Sequence, residues 1–295
     1  MTIHATQRLS DWQSAPSELP LDPGDVHVWR ARLVPIEHER IAACAALLTP
    51  DERDRAAAYR FPRDAQSFTA RRAILRILIG RYLAARADPR GRCPAGTSLL
   101  EGVGDLGREA GCAPSADSRG KSARPYLAAF RLNPFGRPEL PPDLGTDLVF
   151  SVSHSNGAAM FAFARGRSVG VDIEAMREVV DYCGIAERCF SPAERSALAS
   201  LAPGERRRAF FAGWARKEAY IKARGLGLSI PLDSFDVSVS PGEPVGLIST
   251  RDPADREPAW TLAALDAGPG FSAALAVSGV VRQAHLFEWR LPGTM

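Results

Sequence analysis

Gly170-Val171-Asp172-Ile173-Glu174 is the stretch on which both the fold and the chemistry of this chain turn. Its β-branched residues alternate with glycine and acids, the period-2 pattern of a strand. Val169, Val171 and Ile173 take one face, and Gly170, Asp172 and Glu174 take the other. Downstream, Trp214-Ala215-Arg216-Lys217-Glu218-Ala219-Tyr220-Ile221-Lys222 reads as helix and puts Glu218 and Lys222 on one side, four residues apart. A strand with two acids and a helix with an acid and an amine can converge. Three carboxylates supply hard oxygen ligands for Mg²⁺, and an ammonium beside them suits a pyrophosphate.

Each element also has a plainer explanation. An Asp-x-Glu pair is often the solvated face of an antiparallel strand, and Glu218/Lys222 alone is an ordinary helical ion pair worth ~0.3 kcal/mol. The helical wheel tips the balance. Phe210, Trp214 and Ile221 mark an apolar stripe, and Glu218 and Lys222 border it, where an ion pair beside packed core needs a further partner. Lys217 falls on the stripe itself, which requires a buried partner or a snorkelling stem. Gly170 shares the acidic face and is expected to leave room there for a ligand.

Working outward, Val26–Leu33 alternates like a first strand. Thr49-Pro50-Asp51-Glu52 opens a helix, and Ala70–Leu83 continues as a longer one. Residues 88–124 lose all periodicity and read as a flexible insertion. Structure resumes at Tyr126–Leu132 and Leu148–Ser153. Met160–Ala164 and Ser168–Glu174 are expected to pair around the Arg165-Gly166-Arg167 turn. Helices follow at Pro192–Leu201 and Arg206–Arg224, then strands near Phe235–Val239, Trp260–Ala264, Ser272–Val277 and His285–Trp289. Mostly local strands with one long helix per half indicate an α+β fold: two pseudo-symmetric halves sharing a central cleft that holds the site. The divisions are a loose N-terminal arm at 1–24, a first half at 25–164 and a second half at 165–295.

Bulk properties narrow the function. A length of 295 residues, 45% hydrophobic and 24% charged, is ordinary for a globular protein, and a net charge of +3 gives no reason to expect nucleic acid. Five cysteines without a Cys-x-x-Cys pair argue against a disulfide framework or zinc knuckle and suit a reducing compartment. With no apolar leader and no long apolar run, a cytoplasmic protein without a membrane segment is expected. Lysine occurs only at 121, 217 and 222, so two of three lie in the site helix.

Two further segments can touch phosphate. Ser151-Val152-Ser153-His154-Ser155-Asn156-Gly157 gathers hydroxyls and an imidazole at a strand end, although a structural turn explains it equally well. Phe135-Gly136-Arg137-Pro138 offers a guanidinium on a turn. Gly166-Arg167-Ser168-Val169-Gly170 spells a hydrolase nucleophile elbow, but a strand rather than a helix follows the serine, so the elbow is rejected.

Taken together these segments resemble the 4′-phosphopantetheinyl transferases of the longer Sfp type. The family's Gly-(Val/Ile)-Asp-(Val/Ile)-Glu strand corresponds to Gly170–Glu174, and its Trp-x-x-Lys-Glu helix with the trailing Gly-x-Gly-Leu corresponds to Trp214–Leu228. Its Ser-His-Ser turn matches Ser153-His154-Ser155, its Gly-Lys-Pro segment matches Gly136-Arg137-Pro138, and Arg60-Phe61 and Arg71-Arg72 resemble its first-domain segment. The resemblance implies transfer of 4′-phosphopantetheine from coenzyme A to a serine of an apo acyl or peptidyl carrier protein, releasing adenosine 3′,5′-bisphosphate. It also implies a part in secondary-metabolite biosynthesis. Asp172, Glu174 and Glu218 would hold Mg²⁺, with Glu218 as the base and Asp172 and Lys222 also catalytic. Arg55, Arg137, Ser153, His154 and Lys222 would take the coenzyme A phosphates. Arg137 departs from the family's lysine, which keeps the charge but changes the phosphate geometry. A monomer is expected, since two fused halves supply their own cleft. The competing function is a metal-dependent phosphohydrolase using the same carboxylates on a nucleotide pyrophosphate. Met176–Phe190 offers either a carrier-docking surface through Val179, Val180 and Tyr182, or a closure of the second-half core.

Overall fold

Alternation along the strands decides which residues face which layer. In the computed structural model, which describes residues 8–33, 35–85, 125–253 and 259–290, strand β6 (Ala158–Arg165) sends Phe161 and Phe163 one way and Met160, Ala162 and Ala164 the other. The first set packs under α3 (Pro62–Ala84) with Ile74, Leu78 and Tyr82. The second set faces Val169, Val171 and Ile173 of β7 (Val169–Ala175) in a core lying between two sheets. Strand β11 (Phe271–Ser278) repeats the scheme. Ala273, Leu275 and Val277 enter that inner core, while Ala274 and Ala276 lie under α6 (Pro203–Arg224). The layers therefore run helix, sheet, sheet, helix, and the fold is α+β as expected.

The larger sheet has the order β1-β12-β2-β6-β5, with β1 Trp12–Ser14, β2 Asp25–Arg32, β5 Leu148–Ser155 and β12 Gln283–Trp289. The smaller is β10-β11-β7, with β10 Trp260–Leu265. The sheets are joined at both edges. At one, Leu9 bridges Leu265 and its backbone bonds Ala264 and Asp266. At the other, serine hydroxyls of β5 accept the outward N–H groups of β7, Ser151 from Val171 (3.1 Å) and Ser155 from Ala175 (3.0 Å).

Four expectations need correction. The N-terminal stretch is not a loose arm over its described part: Trp12–Ser14 pairs with β12, and Leu9, Leu19 and Leu21 are buried. β6 and β7 do not form a hairpin ladder. β6 lies between β2 and β5, and β7 pairs with β11, because that pairing brings the Val169/Val171/Ile173 row beside Ala273/Leu275/Val277 on the inner core. A division at residue 165 does not follow the sheets either, since β12 returns to pair with β2. Tyr126–Leu132 contributes only the two-residue strand β3 (Arg131–Leu132), which pairs with β4 (Pro138–Glu139). The insertion expected at 88–124 lies outside the described residues.

Gly170 explains how close the second helix comes. A Cβ there would lie 2.0 Å from the Ala219 carbonyl oxygen and 2.5 Å from the Ala223 nitrogen. The glycine thus makes room for α6 rather than for a ligand, a fifth correction. This close approach sets the acidic face of β7 directly against the face of α6 that carries Glu218 and Lys222.

Candidate active site

The site forms where β5, β7 and α6 meet. Asp172 is 1% exposed, and its Oδ1 takes a hydrogen bond from Ser153 Oγ (2.8 Å) and one from Lys222 Nζ (2.6 Å). Lys222 also donates to Ser153 (2.9 Å), closing a triangle among β5, β7 and α6. The lysine side chain keeps 31% exposure, so this ion pair faces solvent on one side. Asp172 Oδ2 is buried with no partner. A buried carboxylate oxygen without a donor is costly and calls for a cation or a water.

Glu174 stands beside it and accepts a hydrogen bond from Ser155 Oγ at 3.2 Å. Burial and the Asp172 charge push its pKa up against the pull of Ser155, Lys222 and Trp214. Glu218 is pushed up to about 7: burial acts first, the Asp172 and Glu174 charges add to it, and Lys222 opposes. The three carboxylates therefore repel one another across one space with a single ammonium to offset them. As the side chains stand, no three His, Cys, Asp or Glu among the described residues already form a metal-holding group. The donor set nevertheless fits a hard divalent ion: three mutually repelling carboxylates and an unsatisfied Asp172 oxygen.

A cationic border lies next to the triangle. His154 is exposed at the β5–β6 turn, yet neighbouring protein desolvates the ring, and Arg71 and Lys222 add their charge, lowering its pKa to about 4. Arg55, on α2 (Pro50–Ala57), stacks over Phe68 at 5.6 Å beside Arg71 and Arg72. Glu52 is engaged by Arg72 (3.2 Å) and Arg76 (2.9 Å), and among the described residues Arg55 and Arg71 form no ion pair. Electrostatics thus link Arg55, Arg71, His154 and Lys222 into one basic margin. Arg71 was visible in sequence only as part of an Arg-Arg helix and not as a site residue.

Arg137 is placed differently. Its guanidinium reaches the carbonyls of Phe150 (3.0 Å), Val169 (3.3 Å) and Ala223 (3.3 Å), tying β5, β7 and α6 together from behind. These contacts describe a brace, and none joins it to the carboxylate group. Ser155, which holds Glu174, is not legible in sequence as a site residue, although the Ser-x-Ser-x-Ser alternation is a signal for a serine-lined strand edge.

The buried lysine of the apolar stripe finds its partner in Glu194 at 2.8 Å. Lys217 also donates to the carbonyls of Leu232 (2.6 Å) and Phe235 (2.8 Å) and lies 4.2 Å from the centre of the Phe235 ring. In Met176–Phe190 the structure favours core closure: Val180, Tyr182 and Ile185 pack against the α6 cluster, Phe190 is buried, and Val179 alone is 91% exposed. Cavities of about 70 Å³ near His285 and about 350 Å³ near Pro231 lie away from the carboxylates.

Comparison with known proteins converges on the same residues. Residues 168–276 match the 4′-phosphopantetheinyl transferase superfamily, a span holding every carboxylate of the site. The chain is 32% identical to 4′-phosphopantetheinyl transferase HetI of Nostoc sp. over 91% of its own length and 94% of that protein's. It is 28% identical to a putative 4′-phosphopantetheinyl transferase of Synechocystis sp., covering 67% of this chain and 65% of that one. To 4′-phosphopantetheinyl transferase Sfp of Bacillus subtilis it is 34% identical, over 50% of this chain and 61% of Sfp. With likeness running nearly end to end of HetI, and the superfamily match falling on the strand and helix that build the site, this chain belongs to the 4′-phosphopantetheinyl transferase family and is an enzyme of that kind.

Proposed function

We propose that this enzyme transfers 4′-phosphopantetheine from coenzyme A to a serine of an apo acyl or peptidyl carrier protein and releases adenosine 3′,5′-bisphosphate. The observation that carries the proposal is the unsatisfied carboxylate group: Asp172 with a buried, partnerless oxygen, Glu174 and Glu218 raised by burial and by its charge, and Lys222 opposite them. Asp172, Glu174 and Glu218 would hold Mg²⁺. When bound, that ion supplies positive charge to the pyrophosphate oxygens.

The remaining work belongs to the chain's own side chains. Lys222 swings from Asp172 toward the pyrophosphate, a movement its partial exposure permits. The basic margin of Arg55, Arg71 and His154, with Ser153, orients the nucleotide end and its 3′-phosphate. Arg137, as a brace, fixes the three elements around them. Glu218 takes the proton of the carrier serine hydroxyl. The serine oxygen then bonds the phosphorus that carries the pantetheine arm, and the bond from that phosphorus to the bridging pyrophosphate oxygen breaks. The electron pair leaves with adenosine 3′,5′-bisphosphate, whose new charge Lys222 stabilises. Phosphoryl transfer of this type needs positioning and electrostatics rather than a covalent enzyme intermediate.

Among the described residues no helix is long and apolar enough to cross a membrane, and we place the enzyme in the cytoplasm as a monomer meeting carrier domains there. Incubation with coenzyme A, Mg²⁺ and an apo carrier, followed by intact-mass spectrometry, tests the function. Transfer adds one phosphopantetheine mass to the carrier. An unchanged carrier with free phosphopantetheine in solution would establish the phosphohydrolase instead.

A further inference from the structure

We propose that Ser155 is a positioning residue for Glu174, holding that carboxylate in the orientation in which it binds a divalent ion. The inference rests on the metal-holding role proposed for Glu174.

Ser151, Ser153 and Ser155 alternate along β5, so all three hydroxyls point to the same side, toward β7. Their depth is fixed by the turn that follows. Asn156 (φ 45°) and Gly157 (φ 77°) form a two-residue loop with both residues left-handed, closing on the Ser155–Ala158 pair. Asn-Gly is the favoured sequence for that hairpin turn, which sets the register of the strands. Ser155 is therefore held at the last ladder position before the loop and cannot slide along β7.

Among the described residues the outer edge of β7 has no ladder partner, and the serines act in its place. Ser151 accepts the Val171 N–H (3.1 Å), and Ser155 accepts the Ala175 N–H (3.0 Å). For Ser151 no carboxylate is involved. For Ser155 the accepted bond directs its own proton elsewhere, to Glu174 Oε2 at 3.2 Å. An ionised carboxylate only accepts hydrogen bonds, so this arrangement fits the form that binds a cation. Glu174 is thus fixed from β5, and Ser153 performs the equivalent service for Asp172 (2.8 Å). Outer-shell hydrogen bonds of this kind commonly govern metal affinity by about 10–100-fold.

Ser151 supplies a matched control, because Ser151→Ala strips an edge N–H of its acceptor without touching a carboxylate. The experiment uses the full-length enzyme with four variants: Ser155→Ala, Ser155→Thr, Ser151→Ala and Glu174→Gln. Mn²⁺ affinity is read by electron paramagnetic resonance, and the Mg²⁺ concentration for half-maximal transfer is read alongside thermal melting. Ser155→Ala is expected to weaken Mn²⁺ binding and raise the Mg²⁺ requirement about tenfold, with kcat at saturating Mg²⁺ within about threefold of wild type. Ser155→Thr, which keeps the hydroxyl, restores the affinity. Ser151→Ala lowers the melting temperature as much as Ser155→Ala does but leaves the metal requirement where it was. Equal metal effects from Ser151→Ala and Ser155→Ala, or none from Ser155→Ala while Glu174→Gln has a clear one, would overturn the proposal for Ser155. If Glu174→Gln itself leaves Mn²⁺ affinity unchanged, the metal-holding role of Glu174 falls, and the proposal for Ser155 falls with it.

Discussion

Helix α6 carries two lysine–carboxylate pairs of opposite kinds. Lys217 and Glu194 are saturated: the lysine, 0% exposed, has Glu194 and two carbonyls, and Glu194 also accepts the N–H groups of Ser191 (2.8 Å) and Val237 (2.8 Å). Lys222 and Asp172 are unsaturated: one Asp172 oxygen has no donor, the lysine is partly exposed, and two further carboxylates crowd the same space. The first arrangement fastens α6 to α5 (Pro192–Ser200) and to the loop that follows α6. The second holds electrostatic demand in reserve for a ligand. A buried ion pair on one helix can thus be structural or functional, and the count of satisfied atoms tells which.

Neutralising the acid of each pair separates them, and the largest effect expected is on chemistry. Asp172→Asn should reduce transfer by about three orders of magnitude, on the scale of losing a preorganised electrostatic group, while shifting stability by only about 1 kcal/mol because Lys222 can turn to solvent. Glu194→Gln should leave Lys217 buried without a counter-charge and cost about 3–5 kcal/mol, read by denaturant unfolding. Similar stability losses in the two variants would erase the distinction.

Gly170→Ala tests whether the close approach of α6 matters to both pairs. The new methyl would overlap the Ala219 carbonyl, so the helix must move. We expect a loss of roughly 3 kcal/mol together with reduced transfer. A wild-type melting curve would show that α6 has more freedom than this packing allows.

The pH dependence is a smaller effect. Glu218 keeps its proton up to about pH 7 in the folded enzyme, above its ordinary 4.5. The folded state therefore binds this proton more tightly than the unfolded chain. Its contribution to stability is full below about pH 4.5 and is lost as pH rises through 7. Without added metal, Glu218→Gln should gain on wild type by on the order of 2 kcal/mol between pH 5 and pH 8. A Glu218→Gln stability difference that is flat with pH would show that burial and the neighbouring carboxylates do not raise Glu218 in the folded protein.

The central residues were legible because each sits on its own local period. Asp172 and Glu174 show alternation, and Glu218 and Lys222 show helical spacing. The anomaly of Lys217 was equally legible, but its partner was not: Glu194 reads as an ordinary member of a Ser-x-x-Glu capping box, and only the fold turns that cap toward α6. The pairing of β7 was misjudged because a short turn favours neighbours in sequence, whereas apolar rows on β7 and β11 decide it across a long separation. Proline and polar residues in the N-terminal stretch hid the burial of Leu9, Leu19 and Leu21, of which Leu9 joins the two sheets at one edge. Arg137 was legible as a guanidinium on a turn, but its bonds to three carbonyls were not, because Phe150, Val169 and Ala223 meet it only in the fold.

The most direct measurement is a calorimetric titration of Mg²⁺ into the full-length enzyme with coenzyme A, for wild type, Asp172→Asn and Glu194→Gln variants kept below their melting temperatures. Binding in wild type, its loss in Asp172→Asn, and its retention in folded Glu194→Gln are the predicted result. Equal Mg²⁺ affinity in wild type and Asp172→Asn would contradict the assignment of the unsaturated pair as the metal site.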